Sequence, residues 1–237
     1  MNKNIFRALL MILIFTNSAL SQSEFLESDM GFHFGLEAME TYQVLNRKAA
    51  VNIGFAKKYT ESIVGVGVKV GVGMEDQDFF DYGTTATNIF EPYISVAILT
   101  NKSAFFSLKG VLSYYHADYG SENLDESLDS FESKTYKLGL SIYRSLSLSQ
   151  SMTVTPELSA IFVEKKAGYN SNIGSYKMKK VDYKIGLALG FKVSSQNMII
   201  ITPALVFPKI SSRNSGFSNE DNKRLDLNID YILNLGK

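Results

Sequence analysis

From Val64 to Gly73 the chain alternates without a break, with Val64, Val66, Val68, Val70 and Val72 on even positions and Gly65, Gly67, Lys69, Gly71 and Gly73 on odd ones. A period of two places alternate side chains on opposite faces of a β-strand. A helix would scatter these valines around its axis and carry the entropic cost of the glycines. The same rhythm returns in Val181, Tyr183, Ile185, Leu187, Leu189, Phe191 and Val193, which alternate with polar or small residues. It returns again in Leu225, Leu227, Ile229, Tyr231, Leu233 and Leu235, and in Tyr136, Leu138, Leu140 and Ile142.

Extending this reading predicts strands over 29–39, 48–58, 62–74, 88–100, 103–116, 133–146, 152–164, 178–193, 198–209 and 223–235. Each is near the ~9–11 residues that a tilted strand needs to cross a bilayer. Short connections fall around 59–61, 100–102, 147–150 and 194–197, and longer ones around 40–47, 75–87, 117–132, 165–177 and 210–222. Alternating short turns and long loops is the rhythm of transmembrane barrels, whose strand number is even when both termini lie on one side. The predicted fold is all-β: a closed antiparallel up-and-down transmembrane β-barrel of about ten strands, with eight or twelve as the neighbouring options. Pro92, Pro156 and Pro203 fall in the first part of strands, where a missing ladder donor is best tolerated.

One apolar face per strand suits either a soluble barrel, apolar inside, or a membrane barrel, apolar outside. The opposite face decides. It holds Gly65, Gly67, Gly71, Ser95, Ala97, Ser107, Gly139, Ser141, Gly186, Ala188 and Gly190, small residues that suit a narrow lumen. Mid-strand charges share its parity. They are Glu37, Lys69, Glu91, Lys109, Lys137, Glu157, Asp182, Lys184, Lys192, Asp226 and Asp230. These five bases and six acids predict a lumen with little net charge. On the apolar face, Phe32, Phe55, Phe90, Tyr114, Tyr136, Phe162, Phe191 and Phe207 lie near strand ends, as in aromatic girdles. Closure is required because no water in hydrocarbon can satisfy an open sheet edge.

Composition agrees. The 237 residues carry 24 basic and 24 acidic side chains, without the basic excess of a nucleic-acid binder. There is no cysteine, so an exported domain would need closure of another kind. Lys3 and Arg7 precede the apolar run Ala8 to Phe15, and Ala19-Leu20-Ser21 offers small residues for cleavage before Gln22. This predicts a signal peptide over 1–21 and a barrel domain over 22–237. The apolar run is shorter than the ~20 residues of a spanning helix.

With these features the chain resembles the small porin-like outer-membrane β-barrel proteins of Gram-negative bacteria. The signal peptide, the alternating strands and the final strand Leu225 to Leu235 carry the resemblance. It implies residence in the cell outer membrane, outer-membrane lipid as surroundings, delivery by the barrel insertion machinery, and small solutes as possible cargo. Such barrels commonly end in an aromatic residue; this chain ends Leu233-Asn234-Leu235-Gly236-Lys237, and Tyr231 is the nearest aromatic.

The expected role is a structural barrel or a narrow passive pore, without enzymatic activity, cofactor or metal. Two alternatives compete with this role. His116-Ala117-Asp118 would serve a barrel-embedded hydrolase of lipid or peptides, but no nucleophile motif accompanies it. A soluble periplasmic barrel would hold an apolar ligand in an apolar interior. His33 shares the lumen parity of Glu37. The acidic stretch Asp118 to Glu132 reads as a solvated outer loop and lacks calcium-loop spacing.

Overall fold

The computed structural model describes residues 29–41, 46–76, 84–98, 107–120, 131–169, 176–214 and 222–235. The expected signal peptide lies outside them. The strands are β1 (Met30–Thr41), β2 (Asn46–Lys58), β3 (Ser62–Asp76), β4 (Thr84–Ile98), β5 (Ser107–Gly120) and β6 (Phe131–Tyr143). They continue with β7 (Leu146–Ser147), β8 (Met152–Tyr169), β9 (Tyr176–Lys192), β10 (Asn197–Arg213) and β11 (Arg224–Leu235). Among the described residues there is no helix.

The ladder runs β6-β5-β4-β3-β2-β1-β11-β10-β9-β8, and an antiparallel pairing of β6 with β8 closes the ring. β7 is a continuation of β6. Both pair with β8 in one register, Tyr143 opposite Glu157 and Leu146 opposite Val154. The wall therefore has ten strands. First and last strands meet along their whole length, from Met30 opposite Leu235 to Thr41 opposite Arg224. Sequence neighbours pair everywhere else, so the fold is the up-and-down meander that the alternation predicted.

The strands differ from expectation mainly at the end carrying the longer loops. β4 begins at Thr84, β8 reaches Tyr169 and β10 reaches Arg213. There the hairpins keep pairing, with Lys166 opposite Lys177 and Ala167 opposite Tyr176, although both faces have turned polar or small. Alternation fades while the backbone ladder continues. β5 is described from Ser107, and the expected start at 103 lies outside the described residues.

Three of the four strand prolines sit at local breaks, while Pro208 stays paired opposite Asp182 of β9. Beside Pro92 the β4–β5 ladder skips from Phe90 to Tyr93, and beside Pro203 the β9–β10 ladder skips from Ile201 to Ala204. Pro156 faces the interruption between β6 and β7. A proline has no N–H to give, so each opens the ladder on one side only and leaves the register unchanged.

Orientation follows the pattern. Leu36, Val51, Val70, Ile94, Leu112, Leu140, Leu158, Ile185, Leu205 and Ile229 all point outward and are exposed, Val70 by 53%. Gly65, Ala97, Ser113, Ser141, Ser159 and Ala188 of the alternate face point inward. Some of the apolar residues that turn inward pack into clusters at the two ends. Ile63, Ala97 and Tyr143 pack together at the short-turn end, as do Ala188, Met198 and Ile200. Ile89, Tyr115, Ala117 and Ala167 pack at the other.

Outward aromatics meet across strands at both ends. Phe32 opposes Phe55 with ring centroids 5.3 Å apart, and Tyr114 opposes Tyr136 at 5.3 Å. Such cross-strand pairs add stability beyond their area.

Candidate functional site

The barrel encloses a cavity of about 460 Å³. Glu37, Lys69, Glu91, Lys109, Lys137, Glu157, Asp182, Lys184, Asp226 and Asp230 border it. Lys192 does not: it sits exposed at the short-turn end of β9, beyond the cavity floor.

Four further cations line the cavity without having been expected there: Lys48, Lys165, Lys180 and Arg224. With them, eight basic and six acidic side chains face the space. The near balance inferred from sequence is replaced by a small positive excess. These residues share the parity of their inward neighbours, Lys180 with Asp182 and Arg224 with Asp226, but lie close to strand ends.

The charges are paired in one repeated way. Glu37 on β1 bonds Lys69 on β3. Lys137 on β6 reaches Glu91 on β4 at 2.9 Å, and Lys109 on β5 reaches Glu157 on β8 at 3.4 Å. Arg224 on β11 donates to Asp182 on β9 at 2.9 Å and to its own neighbour Asp226 at 3.1 Å. Each of these interstrand pairs steps over one intervening strand. Adjacent strands lie ~4.8 Å apart, so partners two strands away suit the combined reach of a lysine and a glutamate. The strand between carries short side chains at that level: Asn52, Ser113, Ser141 and Val206 oppose Lys69, Lys137, Lys109 and Arg224. The pairs thus run around the wall instead of across the bore.

Hydroxyls complete the carboxylates. Ser113 Oγ donates to Glu91 Oε1 at 2.7 Å, Ser159 Oγ to Glu157 Oε1 at 2.8 Å, and Ser141 Oγ to Ser159 Oγ at 2.9 Å. A buried carboxylate with both oxygens bonded keeps most of what it loses on leaving water. Lys137 and Lys48 also lie over the Tyr115 ring, 4.7 and 4.9 Å from its centroid.

A second polar group was not expected. His33 Nε2 and Tyr93 OH are 2.5 Å apart, and Tyr93 OH donates to Asn52 Oδ1 at 2.9 Å. Glu37, the expected neighbour of His33, is taken by Lys69. Gly54 and Gly67 make room: a Cβ on Gly54 would collide with the His33 ring, and one on Gly67 with Tyr93. The only signal for this group in the sequence is parity, since Tyr93 shares the face of Glu91.

His116 lies elsewhere. It is on the outward parity of β5, its ring stacked with Tyr114 at 6.4 Å and 8°. It cannot reach a nucleophile in the cavity. Among the described residues no group of His, Cys, Asp or Glu is arranged to hold a metal ion.

A closed antiparallel barrel, aliphatic outside and charged inside, defines an outer-membrane β-barrel. Comparison with solved structures agrees at the level of fold. The chain is similar to the translocator domain of autotransporter NalP from Neisseria meningitidis, at 10% identity and a TM-score of 0.53, over 97% of this chain and 96% of that one. It is similar also to the β domain of the Bordetella autotransporter BrkA, at 11% identity and a TM-score of 0.53, over 87% and 99%. No protein-family model and no curated protein matches the chain.

Proposed function

We propose that this protein is a non-enzymatic resident of the outer membrane whose lumen is a narrow passive path for small polar solutes. The observation that carries this is the cavity itself, about 460 Å³, bordered by charged side chains whose ion pairs join next-but-one strands along the wall. A lumen built only as a structural plug would use such pairs to fill the bore. Ten strands stand well below the 16–18 of open porins, so bulky solutes are excluded. The excess of lining cations favours anions over cations. The reading includes export, removal of residues 1–21 before Gln22, and delivery by the barrel insertion machinery.

The test is conductance of the purified chain in planar bilayers. Small, discrete steps are expected, with a reversal potential on the anion side in a potassium chloride gradient. Conductance equal to that of bare lipid would leave the purely structural role. The hydrolase alternative has no support in the site, because His116 faces away from the lumen. A soluble barrel with an apolar interior is opposed by the outward aliphatic face.

A further inference from the structure

On β6, β8, β9 and β10 the outward face changes character in a fixed order toward the long-loop end. β6 runs Leu138, Tyr136, Lys134; β9 runs Ile185, Tyr183, Val181, Lys179, Lys177; β10 runs Leu205, Phe207, Lys209. β8 runs Leu158, Phe162, Glu164, Lys166. Aliphatic residues give way to an aromatic, and the aromatic to cations. On the opposite side of the barrel the corresponding outward positions near that end include Ala38, Ala49, Val72 and Asn88. Among the residues whose side chains are described, the outward cations of this end fall on one flank.

The patch is built against its own electrostatics. Lys134 lies directly opposite Lys166, and Lys166 directly opposite Lys177. Like charges at directly paired positions repel. Within the patch Glu164 lies 3.5 Å from Lys166 and 3.6 Å from Lys179, and Glu132 shares the outward face of β6 with Lys134, so lysines outnumber carboxylates there. Lys179 is nonetheless 64% exposed. A row of cross-strand lysines one to three outward positions beyond an aromatic girdle suits headgroup depth, facing lipid and not the loops.

We propose that this flank is a docking surface for phosphate-bearing lipid headgroups of the outer leaflet. The phosphates supply the anions that the lysine row lacks, while acyl chains cover Phe162, Tyr183 and Leu205 below it. The inference rests on the bilayer placement of the apolar face and does not depend on whether the lumen conducts.

The test uses the full chain in phosphatidylcholine nanodiscs doped with lipid A or with dephosphorylated lipid A, reading bound glycolipid by native mass spectrometry. The unmutated barrel should retain phosphorylated lipid A and release the dephosphorylated form. In the triple variant Lys166→Gln, Lys177→Gln, Lys179→Gln, affinity should fall roughly a hundredfold, since each surface cation contributes about fivefold. Lys57→Gln, exposed at the other end, should change nothing. Equal retention of both lipids by the unmutated barrel, or undiminished binding by an inserted triple variant, would overturn the proposal. A barrel that inserts but loses lipid separates this question from that of membrane placement.

Discussion

At the scale of single residues, the lumen depends on who stands beside whom two strands away. Gly67 is fixed by Tyr93, whose ring occupies the space a side chain would need. Gly67→Leu should push Tyr93 off Asn52 and His33 and cost about 1–3 kcal/mol, as overpacking does, read as a lowered urea midpoint in lipid vesicles. Gly110→Ala is the control: its methyl would find its nearest atoms 4.0 Å away, so the midpoint should hold or rise. Glu91→Gln removes the charge that Lys137 faces while keeping the acceptor for Ser113. It should destabilise by about 1–3 kcal/mol. Lys137→Met in the same chain should recover part of that loss, because the stranded charge is gone. If the two substitutions add without coupling, the pair contributes nothing. These partners were not legible in the sequence. Parity showed that Glu91 and Lys137 face one lumen, but joining them over β5 requires the register of three strands. Lys165, Lys180 and Arg224 share inward parity too, yet sit near strand ends, where polar residues on both faces blur the alternation.

At the scale of elements, the sequence carried most of the architecture, because alternation is a direct imprint of a two-faced wall. β3 and β9 show why: valine or large apolar residues alternate with glycine, alanine or charge from Val64 to Gly73 and from Val181 to Lys192. Their ends were less legible, since a hairpin beyond the hydrocarbon core needs no apolar face to keep its ladder. Depth along an element sets the cost of a charge. Ile185→Lys, on the lipid face of β9, should cost about 2–4 kcal/mol in a bilayer, whereas Val193→Lys, at the turn below the same face, should cost about 0–1 kcal/mol. Both side chains are exposed, so exposure alone predicts equal, negligible effects. Unfolding free energies measured in vesicles distinguish the two views. The prolines fit the same logic. Pro92, Pro156 and Pro203 interrupt one ladder each, and the strand's other edge keeps its register.

At the scale of the molecule, closure turns local patterns into a stable object. No cysteine and no helix contributes among the described residues. The seam between β1 and β11 removes the last open edge, which hydrocarbon would not tolerate. A closed wall then sorts its two faces into two solvents. The outer face is aliphatic with aromatic borders, and the inner face holds ion pairs strung between alternate strands. Pore, lipid docking and stability all presuppose that sorting. Since the chain has neither cysteine nor tryptophan, a single introduced cysteine is an unambiguous reporter. The most direct measurement is a spin-label scan of β9 in lipid bilayers, one cysteine at a time from Val181 to Leu187. Collision with molecular oxygen, which concentrates in hydrocarbon, should peak at 181, 183, 185 and 187 and drop at 182, 184 and 186. A scan with the opposite phase, or with no alternation, would contradict the account.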